Sequence, residues 1–157
     1  MKLSEIFTYD GLIPELCAGT CEGVIRELLE VLAKADRINR QDGQQILQAL
    51  IDRESNGSTG FGKGVAVPHC QHSAVKKTAL AIGSSTAGLD FKALDKAPVY
   101  SVLLLLSPAN DQDRHLQAME LIFRHLQRAS FRKALRQANS PQDIRELFAG
   151  IEASQAD

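Results

Sequence analysis

Apolar positions recur at helical spacing in several stretches of this chain and cluster as short runs in others. Val24, Ile25, Leu28, Leu29 and Leu32 predict an amphipathic helix over about residues 21–36. Thr20 reads as its N-cap, with Glu22 near the positive helix end. Ile46, Leu47, Ala49 and Leu50 predict a second helix from about Gln41 to Glu54. Leu116, Met119, Ile122, Phe123 and Leu126 form the buried face of a long helix ending near Ala129, with Asn110 as the expected cap. His115 falls within that face and His125 well off it, so His125 is expected to be exposed. A short helical segment is predicted at 131–138. A last helix opens at Ser140-Pro141-Gln142-Asp143, a cap, a proline at the first position and an acid after it.

Between these helices lie runs with strand character. Val99–Leu106 is nearly continuous and reads as a central strand buried on both faces. Thr78–Ser85 alternates small and large apolar residues. Val65–Val67 is a short strand, and a further one is expected near Gly11–Cys17. Strands set between helix pairs predict an α/β fold, a mixed β-sheet sandwiched by helices. At 157 residues, with no repeat or linker, the chain is expected to be one domain, 1–157, fraying after about Ile151.

Composition narrows the function classes. A formal net charge of −1 leaves no electrostatic footprint for nucleic acid or an anionic membrane. No run reaches the length of a membrane span, and the start lacks a signal peptide's apolar core. Cys17, Cys21 and Cys70 contain no Cys-x-x-Cys pair, which suits a reducing compartment. A cytoplasmic protein is expected.

The candidate chemistry lies in Arg53–His69. Four glycines (Gly57, Gly60, Gly62 and Gly64) fall within eight residues, and the segment ends in Pro68-His69. Gly57 to Lys63 matches the opening of a nucleotide-binding P-loop, but Gly64 replaces the required Ser or Thr. The flanking order, helix before and strand after, is also the reverse of a P-loop. His69, Cys70 and His72 lack the spacing of a closed zinc site, so no metal is expected. Gly-x-Ser-x-Gly is absent, which removes the nucleophile-elbow hydrolases.

A phosphohistidine fits better. Neutral imidazole is a nucleophile near pH 7, and glycine-loop N–H groups suit a phosphoryl group. Arg53 would add charge-assisted hydrogen bonds, and His115 would contact the phosphoryl during transfer. On the residues alone, three plainer readings stand beside this one. His69 reads equally as a loop histidine without a role, Arg53 as a solvated helix-end cation, and His115 as a core histidine.

Arg53-Glu54, then Gly57-Ser58-Thr59-Gly60-x-Gly62-x-Gly64-Val65-Ala66-Val67-Pro68-His69, resembles the active-site segment of enzyme IIA proteins. The class is the fructose/mannitol one of the bacterial phosphoenolpyruvate-dependent phosphotransferase system. The Gly-Ser-Thr-Gly form is most similar to its nitrogen-regulatory branch. The likeness continues through Phe91 and Pro98-Val99 to His115-Leu116.

The resemblance implies a mixed sheet between helices and a phosphotransferase component without a cofactor. His69 would accept the phosphoryl group on Nε2 from an HPr- or NPr-like phosphocarrier protein. Arg53 and His115 would be its site partners, within a phosphoryl loop of Gly57, Ser58, Thr59, Gly60, Gly62 and Gly64. Downstream it implies regulatory target proteins or a IIB domain. A sugar-specific IIA and a phosphotransfer-inactive binding module are the alternatives. Two positions depart from the family pattern. Cys70 replaces the usual Gly, adding a side chain expected beside the phosphoryl site and open to oxidation. Lys63 replaces a frequent Asn.

Overall fold

The computed structural model describes residues 1–57, 60–91 and 96–155. Among the described residues six helices and six strands follow one another: α1 (Leu3–Ile6), β1 (Phe7–Ile13), α2 (Cys21–Lys34), α3 (Gly43–Ser55), β2 (Gly60–Gly62), β3 (Val65–Ala66), β4 (His69–His72), β5 (Ala79–Leu89), β6 (Val99–Pro108), α4 (Gln112–Leu126), α5 (Ala129–Gln137) and α6 (Pro141–Gln155). A single 3₁₀ turn, Arg40–Asp42, precedes α3.

The strands form one mixed sheet in the order β1-β5-β6-β3-β2, with β4 also on β6. β6 is central, antiparallel to β5 and parallel to β3 and β4. Its apolar run is buried on both faces because successive side chains alternate between two cores. Val102, Leu104 and Leu106 join α2 and α3 on one face. Leu103 and Leu105 join α1, α4, α5 and α6 on the other. β5 repeats the alternation, with Ala79 and Ala81 on the first face and Leu80 and Ile82 on the second. Gly83 in β5 is held small by its neighbour, since a Cβ there would meet Leu16 Cδ2 at 2.7 Å.

Several boundaries differ from the sequence reading. β1 lies earlier than Gly11–Cys17, because Pro14 has no N–H to continue a ladder. Its first residue, Phe7, packs edge-on against Phe148 of α6, with ring centroids 5.6 Å apart. Asp111, not Asn110, caps α4, accepting from the Arg114 N–H at 3.2 Å. α4 stops at Leu126, whose carbonyl accepts from Arg132 Nη1 at 2.6 Å. α5 then folds back over the end of α4. His125 is therefore not exposed. It is 1% accessible, its ring lies 5.5 Å from that of Phe131, and Arg128 Nη2 donates to its Nδ1 at 2.8 Å. Thr20 caps α2 through the Gly23 N–H, and Ser140 Oγ accepts from the Asp143 N–H at the start of α6.

Candidate active site

β3 and β4 lie end to end along the same edge of β6. Val65 pairs with Ser101, Ala66 with Val102, and His69 with Leu105, the same offset on both sides of Pro68. The expected strand at Val65–Val67 thus pauses at Val67–Pro68 and resumes. His69 is not on a loop; it is the first residue of β4. Proline lacks the N–H for the ladder but still accepts, with Leu105 N donating to Pro68 O at 3.0 Å.

At this pause the Val67 carbonyl accepts from His69 Nδ1 at 2.7 Å. A carbonyl only accepts, so Nδ1 carries the proton and the lone pair of the neutral ring resides on Nε2. His69 is half-buried. Its pKa is lowered from the usual histidine value, chiefly by burial, and the Arg53 charge pushes the same way. The Val67 bond and Glu54 oppose these effects.

His115, in the first turn of α4, is 8% exposed, with its ring centroid 6.0 Å from that of His69. Its Nδ1 is 2.8 Å from Ser107 Oγ, at the end of β6. Burial and the neighbouring His69 lower its pKa. Both shifts favour the neutral ring.

Arg53 is exposed, and its Nη1 donates to the Gly57 carbonyl at 2.7 Å. It clamps the start of the glycine loop to the last turn of α3. Ser58 and Thr59 lie outside the described residues. Beyond them, β2 and β3 form a hairpin in which Gly60 pairs with Ala66 and Gly62 with Val65. The two turn residues, Lys63 and Gly64, have φ of +57° and +83°, the left-handed pair of a type I′ turn. A strand rises about 3.3 Å per residue, so Gly64 stands roughly 16 Å along the strand from His69. Gly62 and Gly64 therefore serve the hairpin and do not wall the histidine. Gly60, paired with Ala66, is the hairpin glycine nearest in register to His69.

Cys70 also departs from expectation. Side chains alternate along β4, so it points away from His69 and packs against the α2/α3 core. Burial pushes its thiol up to about 12, which leaves it a poor target for oxidation.

Three features of the site escaped the sequence reading: the Val67 carbonyl, Ser107 and Phe61. A serine closing the apolar run of β6 was a visible signal for Ser107. The Phe61 ring lies tilted against that of Phe123, centroids 5.4 Å apart, and seats the hairpin against α4.

Residues 5–150 match the family model of the phosphoenolpyruvate-dependent sugar phosphotransferase system, EIIA 2. The chain belongs to that family. This EIIA 2 chain is 31% identical over 155 residues to a nitrogen regulatory protein of Pseudomonas aeruginosa, covering 99% of each. It is 34% identical over 132 residues to a fructose-specific EIIA component of Haloferax volcanii, covering 84% of each. A fructose-specific EIIABC component of Bacillus subtilis is 33% identical over 148 residues, spanning 94% of the chain but 23% of that protein. Among solved structures, the nitrogen regulatory protein IIA-Ntr of Neisseria meningitidis superposes with a TM-score of 0.81 at 26% identity, covering 93% and 98% of the two chains. The chain is thus a phosphoryl-transfer component of this system. No helix among the described residues is long and apolar enough to cross a membrane.

Proposed function

We propose that His69 Nε2 is the phosphoryl acceptor and that the chain acts as a regulatory phosphocarrier. The observation that carries this is the Val67 carbonyl on Nδ1, which fixes the tautomer whose Nε2 is nucleophilic. In the transfer, the Nε2 lone pair attacks the phosphorus of a phosphohistidine on an HPr- or NPr-like carrier. The carrier's N–P bond breaks, and its electron pair returns to the carrier's imidazole. The Nδ1 proton stays under the Val67 carbonyl.

His115 takes the complementary tautomer. With the Ser107 hydroxyl donating to Nδ1, its proton sits on Nε2, a donor for a phosphoryl oxygen. Arg53 holds the loop at Gly57 and places positive charge near the incoming dianion. Catalysis is then positioning and charge stabilisation, with no metal in the step.

Leu116, next to His115, is 56% exposed and is the most exposed large apolar side chain of those in the described fold. It suits a docking contact with a carrier beside the transferring groups.

The regulatory reading rests on the near full-length match to a nitrogen regulatory protein and the 0.81 superposition on IIA-Ntr. Its targets would be proteins that distinguish the phosphorylated from the free form. A second reading, a sugar-specific IIA that passes the phosphoryl to a IIB domain, draws on the fructose-specific relatives. Incubation with phosphoenolpyruvate, enzyme I and an HPr-type carrier tests the chemistry. The wild type should gain acid-labile phosphate and His69→Ala none; an unlabelled wild type overturns it. Transfer onward to a IIB domain but no phosphorylation-dependent protein binding would favour the second reading.

A further inference from the structure

One face of α5 is basic and open. Ala129, Arg132, Lys133, Arg136 and Gln137 follow the i, i+3, i+4, i+7, i+8 spacing of a single helical face. The opposite face, Phe131 and Leu135, is buried in the core. The open face and Lys63, at the tip of the β2–β3 hairpin, line a cleft of about 450 Å³. Among the described residues, four of the six that line it are cationic and none is acidic, in a chain whose net charge is −1.

Two of the cations are held in place. Arg132 donates to the Leu126 carbonyl, and the Arg136 guanidinium lies 3.9 Å from the centroid of the Tyr100 ring. Arg136 and Tyr100 also border a smaller recess of about 110 Å³ lined by Ser84, Ser85 and Thr86. The Ser84 hydroxyl is buried there without a hydrogen-bond partner among the described residues. A buried hydroxyl left unpaired is a group that a bound acceptor would satisfy.

We propose that this cleft binds a small molecule carrying two or more phosphate groups. Preformed arginine forks recognise phosphate oxygens. The concavity and volume suit a metabolite rather than an extended polymer. The cleft lies at the Tyr100 end of β6, away from the Leu105 end that carries His69, so it is separate from the phosphoryl-transfer site. Lys63 ties it to the hairpin whose other strand leads to His69.

Calorimetric titration with tripolyphosphate, at constant ionic strength, tests the proposal. The wild type should bind it saturably with one site, and orthophosphate at least tenfold more weakly. Lys133 is exposed, so Lys133→Glu should keep the circular dichroism of the wild type and weaken binding at least fivefold. Arg132→Gln added to it should remove measurable binding. His69→Ala should bind as the wild type does. Absence of saturable binding to the wild type, or an affinity unchanged in Lys133→Glu, overturns the site. Loss of binding in His69→Ala would place the anion at the histidine and overturn it equally. Binding of poly-glutamate with none of tripolyphosphate would mark an acidic-protein surface instead, and overturn the small-molecule assignment.

Discussion

The backbone carbonyl of Val67 lies 2.7 Å from His69 Nδ1, two residues along the same edge of the sheet. A backbone atom thus decides which nitrogen of the ring keeps its free lone pair, and no side-chain substitution at Val67 removes it. Nitrogen-15 NMR should show His69 as the Nδ1–H tautomer at pH 8, and the phosphorylated form substituted on Nε2. A dominant Nε2–H signal would contradict the assignment.

Ser107 positions His115 through a buried hydrogen bond. Ser107→Ala removes a bond worth about 1 kcal/mol, so transfer should slow by roughly threefold to tenfold. His115→Ala should slow it further, and Arg53→Ala should act similarly by releasing Gly57. Stopped-flow transfer from a phosphorylated carrier measures all three. Urea midpoints should show that Arg53→Ala, an exposed substitution, leaves stability nearly unchanged.

Acid should destabilise the fold through its histidines. His69, His115 and His125 all have pKa values lowered in the folded state, in each case mainly by burial. The unfolded chain then binds more protons than the folded one below the reference value of about 6.5. Stability is fully present above that pH and is lost as pH falls toward the lowered folded values. Urea midpoints measured from pH 8 to pH 5 should be flat at first and then decline. His125→Gln should reduce the decline, because Arg124 and Arg128 oppose a charge at this position.

The Lys63-Gly64 turn predicts a stabilising change. Lys63 holds φ at +57°, a left-handed conformation that costs a residue with a Cβ about 1–2 kcal/mol. Asn-Gly is the preferred pair for this turn. Lys63→Asn should raise stability by about 0.5–1 kcal/mol, or roughly 2 °C in Tm, measured by calorimetry. It should also weaken tripolyphosphate binding, since the cleft loses a cation.

Thiol labelling should separate the cysteines. Cys17 is exposed, whereas burial pushes the Cys21 and Cys70 thiols up to about 12. Iodoacetamide should modify Cys17 first and Cys70 only on unfolding, as read by mass spectrometry of the digested chain.

The long periodic elements were legible in the sequence. The apolar stripes of α2, α3 and α4 and the unbroken run of β6 carry their own signal, and Thr20 and Ser140 mark their starts. β2 and β4 were not legible. Gly60–Gly62 and His69–His72 have little strand propensity, and they extend because β3 and β6 supply the hydrogen-bonding partners. His125 was misplaced for a related reason. Its own helix shows one apolar stripe, and only α5 folding back covers the flank where it lies. The sequence named His69 and His115, which the fold brings together with ring centroids 6.0 Å apart, but Gly64 could not be assigned to the hairpin before the register was known. Cys70 similarly needed the strand alternation that turns it away from His69.

The shared register of β3 and β4 along β6 also bears on how this chain tolerates changes in length. Deleting one residue between Val65 and His69 would exchange the sheet faces of His69 and Cys70. A thiol would then stand beside His115, and the imidazole would be driven into the α2/α3 core. The five-residue span from Val65 to His69 cannot drift in length while His69 keeps its place beside His115. Natural variation in length is therefore expected at exposed sites outside the ladder, such as residues 39–41 between α2 and α3.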